Sequence, residues 1–71
     1  MQNMEKVNQA LFEILQDMQK AVQRKDRFEA EICYWQLQGA LYVLDLLDLY
    51  DRQVHGPIDR YMANAYEECI I

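Results

Sequence analysis

Serine and threonine are absent from this chain, and histidine, proline and tryptophan occur once each, glycine and cysteine twice each. Each shortage removes a class of chemistry. Without Ser or Thr there is no hydroxyl nucleophile for acyl transfer, and no Gly-rich loop is present to cradle a phosphate. The single histidine, His55, stands beside the Gly56-Pro57 pair, and Cys69, the nearest cysteine in sequence, belongs to the far end of the segment that follows. A Cys–His couple would need the chain to fold back, and a structural zinc site would need carboxylates or a second chain to complete its ligands. His55 is expected at a helix C-terminus, where it can interact with the dipole. No catalytic residue, cofactor site or metal site is expected.

Two cysteines are too few for a disulfide framework. Cys33 lies within an apolar stripe, where a free thiol behaves as a small hydrophobe. The opening MQNMEK has no apolar leader segment. These features predict a reducing, cytoplasmic setting. Long apolar runs are missing as well: Ala40 to Tyr50 is interrupted by Asp45 and Asp48, well short of the about 20 residues that a spanning helix requires. Basic charge is also short, with seven Lys and Arg against twelve Asp and Glu and a net charge of −5. Phosphate backbones and anionic membranes are bound through clustered Lys and Arg, so neither direct nucleic-acid binding nor membrane binding is expected.

What the chain does have is apolar side chains at helical spacing. Asp26 to Gln53 carries two seams. Phe28, Ile32, Trp35, Gly39, Tyr42, Leu46 and Leu49 form the first; Ala30, Cys33, Leu37, Ala40, Leu44 and Leu47 form the second. Both advance in steps of three and four, and at about 100° per residue they lie on roughly opposite sides of a helix. Such a helix must be covered from two directions.

Before it, Met4, Val7, Leu11, Ile14, Met18 and Ala21 form one stripe of an amphipathic helix, with Phe12 at its edge. Asn3 is a suitable N-cap, and Lys20, Arg24 and Lys25 complement the dipole at the other end. Asp26 followed by Glu29 marks a new helix start. Gly56-Pro57 reads as a helix stop followed by a fresh start, because Gly suits a left-handed C-cap and Pro a first turn. Ile58, Tyr61, Met62, Ala65, Tyr66 and Cys69 then recur at helical spacing, before Ile70-Ile71.

The pattern predicts a single all-α domain with helices at about 3–24, 26–54 and 57–69. A long helical hairpin would carry a short third helix. At 1.5 Å per residue the second helix would run about 42 Å and the third about 18 Å, too short to cover a whole seam. A homodimeric helical bundle is therefore expected, with second helices meeting around Gly39 and Ala40. Asp45, Asp48 and Asp51 read as a solvated strip on that helix rather than a cation site. Tyr34, between the seams, is expected to be the exposed aromatic.

Function is expected to be non-enzymatic: a small adaptor, regulator or inhibitor working by protein–protein contact and binding a second copy of itself as well as another protein. The interface candidates are Tyr34, Trp35, Gly39, Ala40, Tyr42, Leu44 and Leu47. One alternative is an acidic decoy filling a basic nucleic-acid-binding groove on a target; another is a carboxylate site for a metal or small ligand. Compact acidic helical chains of this composition also occur among bacteriophage and mobile-element proteins.

Overall fold

Two residues in the left-handed region, Lys25 and Asp48, both with φ 59°, divide the chain into three helices. The computed structural model describes residues 4–70: α1 spans Met4–Gln23, α2 Arg27–Leu46 and α3 Arg52–Ala65, running on into a π-helical turn, Tyr66–Ile70. Among the described residues the protein is all-helical. The N-cap expected at Asn3 lies outside them.

Both turns close in the same way. After α1, the Lys25 N–H donates to the Val22 carbonyl and the Asp26 N–H to that of Ala21, at 3.0 and 2.8 Å. After α2, Asp48 donates to Asp45 and Leu49 to Leu44, at 3.1 and 2.8 Å. These are Schellman closures, which satisfy carbonyls that a helix end leaves open. In the second, Leu49 follows the left-handed residue and packs onto the core that contains Leu44, the hydrophobic contact that accompanies the motif. The next helix then starts at once from an aspartate. The Asp26 Oδ1 accepts the Glu29 N–H at 3.1 Å, and the Asp51 Oδ1 accepts the Gln53 N–H at 2.9 Å.

The break at residues 24–26 and the Asp26 cap are as expected, but the later boundary is not. The second helix stops at Leu46 rather than near 54, because Asp48 enters the left-handed region and Asp51 caps a new helix. Gly56 and Pro57 therefore sit inside α3, not between helices. Neither glycine has a positive φ, so Gly56 is no C-cap. Pro57 deprives the Gln53 carbonyl of its helical donor, but Gln53 is exposed, where water can serve it. The 20-residue α2 is about 30 Å long, and α3 with its terminal turn reaches about 28 Å. The third helix is not short.

Asn8 on α1 touches His55 at the start of α3, while Val22 and Lys25 lie beside Glu68 and Cys69 at its end. Helices α1 and α3 thus run parallel, and α2 runs antiparallel to both. Leu11, Met18 and Ala21 from α1, Ala30, Cys33, Leu37, Leu41 and Leu44 from α2, and Ile58, Met62 and Ala65 from α3 form one buried cluster, closed by Ile70. Phe12 stays largely outside it. Both neighbours of α2 pack on the same side, around the second seam.

Lys25 is a costly occupant of its turn. A Cβ in the left-handed region costs about 1–2 kcal/mol, which glycine avoids, partly offset by glycine's freedom in the unfolded chain. Lys25→Gly is expected to raise the urea midpoint by an amount equivalent to about 0.5–1 kcal/mol. No increase would mean that Lys25 has compensating contacts.

Candidate functional site: the outer face of the second helix

The first seam of α2 is left uncovered. Relative to Phe28, Ile32, Trp35, Gly39, Tyr42, Val43 and Leu46 fall within an arc of about 100° on the side opposite Leu37. Every one is apolar or glycine. Phe28 is 76 % exposed, Tyr42 and Leu46 64 %, and Trp35 55 %. Leu47, in the turn that follows, is also largely exposed. These exposed side chains together form an apolar face, the kind of surface at which a partner is to be sought.

The interface candidates divide by direction. Trp35, Gly39, Tyr42 and Leu47 point outward. Leu44 is buried within the monomer and Ala40 half-buried beside it, so neither offers outward surface. Tyr34 is not the exposed aromatic: it packs on the core, its ring 4.8 Å from that of Tyr66. Trp35 stands outside it, meeting the Tyr34 ring edge-on at 5.0 Å. Tyr34 thus forms the base on which Trp35 is held. Phe28, Ile32 and Leu46 complete the face and were legible in the seam spacing. Val43 belonged to neither stripe and was not.

Gly39 sits at the middle of this face. An added Cβ would meet nothing within 4 Å, so the close approach expected at Gly39 is not made by any described part of this chain. The helix accepts a residue that weakens it by up to about 1 kcal/mol relative to Ala without using the space internally.

The charges on α2 are also unusual. Its first turn contains Arg27 and Glu29, whereas its last turn has no basic residue and carries Asp45. An aspartate close to a helix C-terminus opposes the dipole. Asp45, Asp48 and Asp51 do not form a strip on one helix: they occupy the end of α2, the left-handed turn and the cap of α3. Asp51 has a defined role as that cap. Among the described residues no group of three potential ligands is placed to hold a metal ion.

His55 is buried and lies near the start of α3, not at a helix C-terminus. Its Nδ1 accepts the Asp51 N–H at 2.8 Å, while its own N–H donates to the Asp51 carbonyl at 2.6 Å. Because Nδ1 is an acceptor, Nε2 carries the proton and donates to the Asn8 Oδ1 at 2.8 Å. The ring thus stitches the α3 cap to α1. Nearby, the Tyr50 hydroxyl donates to the Asp59 carboxylate, which holds the phenol above its ordinary range, with burial and the same negative charge adding to the effect.

The two thiols are free. Burial pushes the Cys33 thiol up, reinforced by the negative charges of Glu29 and Asp17. A buried, hard-to-ionise thiol is a poor nucleophile. Burial likewise raises the Tyr61 phenol, helped by Cys69 and Glu68.

No described helix is long and apolar enough to cross a membrane. The exposed apolar face therefore lies on a helix that is polar along its borders, where Glu31, Gln36 and Gln38 flank the stripe. Comparisons of the chain with protein-family models, curated proteins and solved structures found no match.

Proposed function

We propose that this chain is a small, non-enzymatic protein–protein interaction module that works as a homodimer. It would act as an adaptor, regulator or inhibitor in a reducing, cytoplasmic setting. The observation that carries this reading is the two-sided α2 helix, whose inner seam is covered by α1 and α3 and whose outer seam is covered by no described part of the chain. Taking about 150–250 Å² for each large side chain, the exposed fractions amount to roughly 700 Å² of largely apolar surface, close to the about 800 Å² that each partner buries in a standard stable interface. Trp and Tyr near the middle supply the anchors typical of interface hot spots. The polar borders suit a rim that stays wet around a drier centre.

Sedimentation equilibrium tests the reading. The wild type is expected to be dimeric at micromolar concentration. Trp35→Glu combined with Tyr42→Glu is expected to weaken association about 100-fold or more, while the far-UV circular dichroism stays helical. A wild type that is monomeric at tens of micromolar, with a cooperative melt, would remove the homodimer from the proposal.

A further inference from the structure

Resting on that reading, we infer that two copies pair through antiparallel α2 helices whose twofold axis passes beside Gly39. The occupant of the outer face is then the same face of a second copy.

Three observations favour this register. The first is spacing. Phe28, Ile32, Trp35, Gly39, Tyr42 and Leu46 advance by alternating steps of four and three, the 3.5-residue repeat of a coiled-coil seam. That repeat suits helices crossing at about 20°, which stay in contact along their length rather than touching at one point. The second is shape. Gly39 is central to the stripe, and the space over it is open. In an antiparallel pair centred there, Ile32 meets the partner's Leu46, and Trp35 meets the partner's Tyr42 and Val43. Each bulky half thus lies against the other, while the two glycines bring the backbones together.

Charge and dipole supply the third and separate parallel from antiparallel pairing. A parallel pair would set Asp45 beside its own copy and align two helix C-termini. The antiparallel pair instead opposes the two helix dipoles and, with the axis at Gly39, sets Asp45 opposite Cys33 of the second copy, on the N-terminal half of its α2. The aspartate that opposes the dipole of its own helix then lies against the N-terminal half of its neighbour rather than beside a second helix C-terminus.

Oxidative cross-linking tests orientation and register, using one introduced cysteine at a time in a Cys69→Ser background, where the remaining native thiol, Cys33, is buried, with sedimentation run in parallel on each protein before oxidation. Gly39→Cys is expected to form a covalent dimer because the axis brings its copies together, within the about 4.4–6.8 Å Cα separation a disulfide needs. Mixed Ile32→Cys and Leu46→Cys proteins are expected to cross-link to each other, a result that leaves Gly39 intact. Phe28→Cys alone is expected to stay uncross-linked, its two copies being about 33 Å apart along the axis. Homotypic cross-links at both Phe28→Cys and Leu46→Cys would overturn the antiparallel arrangement while leaving the homodimer standing. A sedimenting dimer with no cross-link at any position would overturn the α2 register. A monomer throughout would overturn both the register and the homodimer beneath it.

Discussion

Leu37→Ala is expected to destabilise the fold by about 3–4 kcal/mol, close to the upper part of the range for a fully enclosed leucine. Leu37 is completely buried at the centre of the inner seam, among side chains from all three helices. Its truncation removes apolar burial and leaves a void that two neighbouring helices cannot close without moving. A chain of 71 residues has little reserve: domains of this size commonly hold only about 3–5 kcal/mol. This single change therefore removes most of the stability that a domain of this size holds. Trp35, two positions away, is expected to behave oppositely. Trp35→Ala removes a larger side chain, yet one that is more than half exposed and contacts the edge of Tyr34. The cost within one protomer should stay near 1 kcal/mol. Urea titrations at low protein concentration in a Tyr42→Glu background, chosen to disfavour any pairing of the outer face, would measure both. Equal losses at the two positions would mean that the outer face is packed within the protomer after all.

The second large effect belongs to a polar residue. His55→Ala is expected to cost about 2–4 kcal/mol, since it strips the Asp51 N–H and the Asn8 Oδ1 of their partner and opens buried space beside the Tyr50 ring. A buried group left without a hydrogen bond loses its full desolvation energy, so the loss exceeds what the imidazole's surface alone would suggest. Asn8→Ala should cost about 1–2 kcal/mol by leaving Nε2–H unmatched. Because both changes break the same bond, the double variant should fall short of their sum by about 1 kcal/mol or more. Strict additivity in denaturant titrations would sink the proposed α1–α3 link.

These two residues show where sequence reasoning succeeds and fails. Leu37 stands in a stripe whose period is intrinsic to the helix, so its membership of a seam is legible without neighbours. Asp26 is similar, since a short acidic side chain that caps the helix following it acts within three residues. His55 misleads for a related reason. Gly56-Pro57 is an ordinary stop-and-start signal, and it places His55 at a helix end. The signal is overridden because Asp48 turns left-handed, Leu49 folds onto the core and Asp51 supplies a cap, so α3 begins five residues before the proline. The ring's two partners lie four residues behind and 47 residues behind it, and only the first is local.

The misplacement of Tyr34 relative to Trp35 has a different origin. Both belong to α2, and helical spacing separates two apolar sides without saying which side receives the neighbours. Tyr34 is drawn inward by Tyr66, a contact made 32 residues away along the chain by the terminal turn. Trp35 then remains outside because α1 and α3 have both settled on the opposite side.

By itself, then, the amino-acid sequence determined the helical class, the two seams of α2, the break at residues 24–26 and the Asp26 cap. All of these arise from interactions within a few residues of one another. Only the tertiary structure decided which seam became the core, because that depends on where two other helices come to rest. The same packing left Phe28, Trp35, Tyr42 and Leu46 facing outward and Gly39 open between them. A periodic pattern specifies that a face is apolar; the rest of the chain selects whether that face is covered.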